Sequence, residues 1–254
     1  MSTEPVISSS LLVWNQVKQA FLRTEKAQLL ARGSVATVVL RACSLGLKML
    51  VGILFARMLS AKGYGVYAYA VAWLATLMIP TTLGLDHVLL RYVSAYKETR
   101  SWSALKGLLQ FATQRAVAAA VVVSFFSIAI VAMLSGKDWD FRVTMWITLA
   151  LLPIVVILQL QQASLRGLDH PVLARLPENI VYPVLLLTFA AGAYFIVGTT
   201  LTVPQAALAN GTAWVAAFVL GTLFVLFKLP EPVRTSGRTY EKSAWMAMIP
   251  PLIF

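Results

Sequence analysis

Charge is what this sequence lacks over most of its length. Of 254 residues only 12% are charged, while 59% are hydrophobic, and mean hydropathy is +0.78. Five stretches hold no Asp, Glu, Lys or Arg at all: Val66–Leu85, Ala116–Leu134, Val143–Leu160, Ile180–Gly198 and Val203–Phe227. Each is close to the roughly 20 residues that cross a hydrocarbon core as a helix. A soluble domain must show water a polar face and cannot carry five such segments, which excludes ordinary globular folds. The expected fold class is therefore all-α, a polytopic transmembrane helical bundle. It has six spans, with Val35–Leu54 as the first, plus the start of a seventh.

Cysteine is nearly absent as well. Cys43 stands alone inside the first span, so no internal disulfide and no Cys-based metal site can form; it reads as a small apolar filler. Acidic residues are also few, 10 against 21 Lys and Arg, for a net charge of +11. The cations are not gathered into a basic tail or patch, so nucleic acid is not the expected partner; they lie in the connections between spans. The N-terminal segment has Lys18, Arg23, Lys26 and Arg32, and the second connection Arg91, Lys97, Arg100, Lys106 and Arg115. The fourth has Arg166 and Arg175, and the sixth Lys228, Arg234, Arg238 and Lys242. The odd connections hold only Arg57, Lys62, Lys137 and Arg142, four against fifteen. Positive residues favour the cytoplasmic side, so the N-terminus and the even connections are predicted to lie inside.

Four segments follow. Residues 1–32 form a cytoplasmic N-terminal segment in which Val13, Trp14, Val17, Phe21 and Leu22 recur at helical spacing among cations. This is either an amphipathic helix on the inner membrane face or a partly ordered tail, and no cleavable signal peptide is expected there. Residues 33–227 form the six-helix lobe and 228–244 a cytoplasmic connection. Residues 245–254 begin a seventh apolar run, rising about 15 Å as a helix, half a membrane. Either it is a re-entrant stub or the chain is the front part of something longer, and the second is favoured. Lys62-Gly63-Tyr64-Gly65 is expected to turn the chain between the first two spans. Pro80, Pro153 and Pro183 should each kink a span and leave a carbonyl for a neighbour to satisfy. Both histidines sit in a repeated Gly-Leu-Asp-His, at Gly84–His87 and Gly167–His170; an Asp helix cap or coincidence is preferred over a His-based proton switch.

The sharpest chemical signal is in the first span. Arg41 and Lys48 are seven residues apart and project from nearly one helix face, with Ser34, Thr37 and Ser44 on or beside that stripe. A cation at mid-membrane costs about 2.5–3.5 kcal/mol on insertion scales, so the stripe should face the bundle interior or a wet cavity. The alternative is that each cation snorkels to its nearer surface, most readily Lys48. No span offers an acidic partner, the remaining acids being placed in connections, so the cavity wants an anion such as phosphate or pyrophosphate. Gln159, Gln162 and Asn210 are candidates to hydrogen-bond sugars, or else glue between helices. Enzyme signals are poor. Asp138-Trp139-Asp140 could hold a divalent metal in a membrane glycosyltransferase, but a solvated charge cluster fits a short loop with Lys137 and Arg142 better. No nucleophile elbow, P-loop, Rossmann pattern or zinc spacing occurs, so an enzyme, a metal and a cofactor are not expected.

The run Ala56-Arg57-Met58-Leu59 followed by Tyr64-Gly65-Val66-Tyr67-Ala68-Tyr69-Ala70 resembles the junction of the first two spans in Wzx-type polysaccharide flippases. Gly84-Leu85 with Leu89-Leu90-Arg91-Tyr92, and Gln162–Leu168 with Pro177 and Pro183, resemble further parts of that family, over roughly Ala31 to the end. The resemblance implies two helical lobes around a cation-lined cavity with alternating access, of which this chain supplies the first. It implies movement of lipid-pyrophosphate-linked oligosaccharides, of the undecaprenyl type, across the bacterial inner membrane for surface polysaccharide assembly. Arg41, Lys48 and Arg91 match its cavity cations. Membrane lipids, a polysaccharide polymerase and glycosyltransferases of the same pathway are the implied partners. Rivals are a cation-coupled multidrug exporter of the same superfamily, which needs a membrane-embedded carboxylate, the glycosyltransferase, and a structural subunit without a transport path.

Overall fold

The computed structural model describes residues 37–82, 84–134, 138–197 and 201–235. The chain divides into two units, Met1–Val39 and Leu40–Phe254, and the bundle from Leu40 onward belongs to the second. In chain order the helices are α1 (Thr37–Met58), α2 (Ala61–Thr82), α3 (Leu85–Glu98), α4 (Trp102–Leu134), α5 (Trp139–Ala150) and α6 (Leu152–Gly167). Then follow α7 (Pro171–Leu176), a π-turn (Pro177–Val181), α8 (Tyr182–Val197), α9 (Val203–Lys228) and α10 (Glu231–Thr235). No strand occurs among the described residues. Six helical stretches are long and apolar enough to cross a membrane, as expected: α1, α2, α4, α5–α6, α7–α8 and α9.

Hydrocarbon gives apolar helices no reason to bury one another, so polar and small side chains decide which helix goes to the centre. Here that helix is α6, with Gln159, Gln161, Gln162 and Ser164 along it; the α5–α6 span is the most buried of the six. Val155 and Val156 of α6 join a core with α2, α3 and α4, while its Leu158 joins a second core with α1, α8 and α9. Helix α9 reaches α6 closely through small residues: a Cβ on Gly221 would stand 2.7 Å from Gln161 Oε1 and 2.8 Å from Leu158 Cδ1. Helix α4, at 33 residues, rises about 50 Å and outruns a hydrocarbon core of about 30 Å. Its first turns, with Lys106, therefore extend beyond the apolar stretch predicted from Ala116.

Three prolines have three outcomes. Pro80 stays inside α2, where the hydroxyls of Thr81 and Thr82 bond back to carbonyls of the preceding turn. Pro183 follows a π-turn opened by Pro177. Pro153 ends one helix and starts another, α5 stopping at Ala150 and α6 beginning at Leu152. Its missing N–H would have served the carbonyl of Leu149, four residues back. That carbonyl instead accepts the buried Ser124 hydroxyl of α4 at 2.8 Å. Ser124→Ala is therefore expected to cost about 1 kcal/mol, and much less in a Pro153→Ala background that restores the N–H. A double-mutant cycle by thermal unfolding in detergent measures this, and equal losses in both backgrounds would disprove the pairing.

The second connection is a docked helix, not a loop. On α3, Leu85, Val88, Leu89 and Val93 are buried while Arg91 is exposed. Ser94 Oγ donates to the Gly167 carbonyl at 3.2 Å, and Lys97 Nζ donates to the Leu168 carbonyl at 3.3 Å and pairs with Asp169 at 2.7 Å. A lysine at the C-terminal carbonyls of α6 suits the negative end of the helix dipole. The turn between α1 and α2 is Leu59-Ser60, ending three residues before the first of the predicted glycines, which lie inside α2; Ser60 Oγ accepts the Gly63 N–H at 3.1 Å as an N-cap. The Leu201 N–H donates to the Met58 carbonyl at 3.3 Å, and Lys62 lies 3.5 Å from Asp138, so one end of the bundle gathers the odd connections.

The two Gly-Leu-Asp-His copies fold differently. Gly84 takes a left-handed conformation (φ 68°) ahead of α3, whereas in the second copy Asp169 does so (φ 65°). Neither aspartate makes a side-chain cap, so the expected Asp cap is absent from both.

Candidate functional site

The π-turn is where the interior becomes polar. Such turns widen the helix and redirect side chains, and they recur at functional positions. Glu178 lies within it, and Gln162 Nε2 of α6 donates to Glu178 Oε2 at 2.8 Å. Gln159, Met78 of α2 and Trp214 of α9 complete a void of about 10 Å3 around this pair, the size that holds one water. The ring of Tyr182 packs on Trp214 with centroids 4.4 Å apart, tilted by 32°, and the Tyr182 hydroxyl donates to Oδ1 of fully buried Asn210 at 2.7 Å. Tyr67 shares a buried cluster with Tyr182 and stands edge-on to Phe55 at 5.1 Å. Asn210 Nδ2 and Gln161 Oε1 are buried with no hydrogen-bond partner among the described residues. Five helices and the π-turn thus supply one carboxylate, four amides and four aromatic rings.

Gln159, Gln162 and Asn210 were singled out from sequence; the structure places the first two on one small void with Trp214 and brings the third in through Tyr182, which packs on Trp214. Glu178 was missed. The charge-free stretch predicted from Ile180 is part of a helical stretch that begins at Pro171, so Arg175 and Glu178 are continuous with the fifth span. The helix that carries the fifth span therefore includes an acid that the sequence places in a connection. The missed signal was Pro177 and Pro183 six residues apart, each removing a helical donor beside Glu178.

The cations form a different surface. Arg41, Lys48 and Phe55 are spaced by seven along α1, as are Ser44, Val51 and Met58, so two adjacent stripes run down one side. In the lower half both stripes pack: Val51, Phe55 and Met58 are buried. In the upper half Ser44 is buried, but Arg41 and Lys48 are exposed, as are Leu45 and Met49. The cationic stripe thus points along the packed side of α1 at a level where no described residue of the lobe covers it. Arg91 is exposed on α3. Thr37 is half-buried at the start of α1, and Ser34 lies outside the described residues, as do the predicted N-terminal amphipathic segment and the run 245–254.

His170, between α6 and α7, is held below its ordinary pKa by burial first, then by the ammonium groups of Lys228 and Lys97, with Asp169 opposing. The shift favours neutral imidazole at pH 7, against a proton switch working near neutrality. At the opposite end Asp138, one of the two candidate metal ligands, faces Lys62.

A family model described as polysaccharide biosynthesis protein matches residues 30–239, the whole six-span bundle with its flanks. The chain belongs to the polysaccharide biosynthesis protein family. No curated protein and no solved structure matches it. This polysaccharide biosynthesis protein is a multi-pass membrane protein in which an acid-and-amide core lies inside the bundle and a cationic stripe lies on its surface.

Proposed function

We propose that this protein is a flippase moving lipid-pyrophosphate-linked oligosaccharides across the bacterial inner membrane, its six helices forming one of two lobes. The family match over residues 30–239 carries the reading. The uncovered stripe of Arg41 and Lys48 supports it. Two cations in a membrane helix call for an anion and an opposing surface. A pyrophosphate linkage between two lobes supplies both. Guanidinium binds phosphate in bidentate fashion and an ammonium adds a point charge. Deleting the gene should stop surface polymer assembly and leave lipid-linked oligosaccharide on the inner leaflet. Normal polymer in the deletion strain would sink the reading.

The fifteen-to-four cation asymmetry favours an inside N-terminus for this flippase. Single cysteines at Ser103, Thr200 and Ser236 in a Cys43→Ala background test it. An impermeant thiol reagent added to intact cells should label only Thr200→Cys. Labelling of Ser236→Cys would invert the topology.

Glu178 favours a second reading, a cation-coupled exporter of the same superfamily, because it provides the carboxylate such a protein requires. In that case Glu178→Gln should abolish dependence of export on the ion gradient. Unchanged gradient dependence would leave Glu178 as interhelical glue with Gln162.

A further inference from the structure

The bundle end that gathers the odd connections carries a two-part cleft. Its mouth, about 250 Å3, is lined by Ser60, Lys62, Asp138, Trp139, Asp140 and Phe141, among others. Phe141 also borders an apolar groove of about 330 Å3 between α2, α4 and α5, whose walls include Tyr69, Trp73, Ile130, Met145 and Leu149. The two cavities are neighbours that share Phe141 as a wall. From Tyr69 to Leu77 on α2, and from Phe141 to Leu149 on α5, the groove follows eight residues of helix. That rise is about 12 Å, close to the hydrocarbon depth of one leaflet, about 15 Å. Tyr69, Trp73 and Ile130 are substantially exposed, so the groove opens sideways on the surface of the lobe, where acyl chains lie. Trp139, 65% exposed at the mouth, takes the position that amphipathic rings prefer at headgroup level.

The mouth selects among lipids by charge. Lys62 and Asp138 are 3.5 Å apart with side chains 82% and 73% exposed, a pairing too solvated to hold them closed. Of the residues lining the mouth, two are carboxylates and one is an ammonium. An anionic headgroup meets a local excess of its own sign. A quaternary ammonium has no N–H to offer a carboxylate, whereas a primary ammonium donates three. We propose that this cleft binds a zwitterionic aminophospholipid. Its phosphate sits against Lys62, its primary ammonium against Asp138 and Asp140, and one acyl chain in the groove lined by Tyr69 and Trp73. The site lies apart from the Glu178 core and does not depend on the flippase reading.

Native mass spectrometry of the full-length protein, with equal amounts of dioleoyl phosphatidylethanolamine, phosphatidylcholine and phosphatidylglycerol, tests it. Phosphatidylethanolamine should be retained in preference to the other two. Asp138→Asn with Asp140→Asn, both exposed and harmless to folding, should lower its occupancy about two- to fivefold per charge, as for solvated ion pairs. Lys62→Ala should do the same. Ser127 of α4 also lines the groove, and Ser127→Phe, which fills it, should remove the bound lipid while size-exclusion elution stays monodisperse. Equal retention of all three lipids overturns the proposal, and so does ethanolamine-lipid retention that survives both the charge variants and Ser127→Phe. Export activity is not read in this experiment, so failure of the cleft and failure of the transport assignment stay distinguishable.

Discussion

Replacing both Arg41 and Lys48 by alanine is expected to abolish oligosaccharide export while membrane insertion stays intact or improves. The two cations cost about 5–7 kcal/mol on insertion scales before any snorkelling, so alanine removes an unfavourable term from biogenesis. What it also removes, on the flippase reading, is the charge that meets the pyrophosphate. Arg41→Ala alone should reduce export at least about tenfold, the scale of one lost charge-assisted hydrogen bond. Arg41→Lys separates two contributions: activity is kept in part if charge dominates and mostly lost if bidentate geometry matters. Lys48→Ala should be milder, since its long stem can carry the ammonium to an interface. Both residues are exposed in the lobe, so neither substitution disturbs its packing. Full export by the double variant would show that these cations only position the helix.

Gly167→Ala should be the most destabilising single methyl group that can be added to the described glycines. A Cβ there would lie 2.8 Å from both Cβ and Cγ1 of Val93 and 3.2 Å from the Leu90 backbone carbonyl. None of these is the free end of a flexible chain. Contact this close is what lets Ser94 and Lys97 reach the end of α6, so the methyl group would push α3 off its seat. Overpacking of this kind costs about 1–3 kcal/mol. The expected readouts are a lowered unfolding temperature in detergent and new protease cleavage at Arg91 and Arg100. Adding Val93→Ala should recover part of the loss, with the Leu90 carbonyl accounting for the rest. Gly192→Ala is the control: no atom lies within 4 Å of its Cβ, and alanine is the better helix former by about 1 kcal/mol. Equal stability of the two variants would refute the close docking of α3.

The sequence reading succeeded where a property belongs to one helix and failed where it belongs to a meeting of two. The missed span start is the clearest case. Charge-free windows located the fifth span at Ile180, because a window treats every carboxylate as excluded from hydrocarbon. Glu178 escapes that rule by finding Gln162, sixteen residues earlier and on another helix. The same limit applies to Pro153. Its missing donor was legible, but that the hydroxyl of Ser124 fills the vacancy depends on how α4 crosses α5. Ser44 and Arg41, three residues apart on neighbouring stripes, were indistinguishable as candidates; only the packing of α1 buries one and exposes the other.

Sequence alone determined the number of spans, because the cost of placing charge in hydrocarbon acts residue by residue along the chain and needs no knowledge of neighbours. It also pointed to Gln159, Gln162 and Asn210, since an amide inside an apolar helix must find a partner somewhere. Which partner each one finds was decided only by tertiary structure. So were the central place of α6, the docking of α3 across its end, and the exposure of the cationic stripe. Helix–helix contact in a membrane rests on small residues and polar pairs whose matching is a property of two surfaces, and no single stretch of sequence contains both.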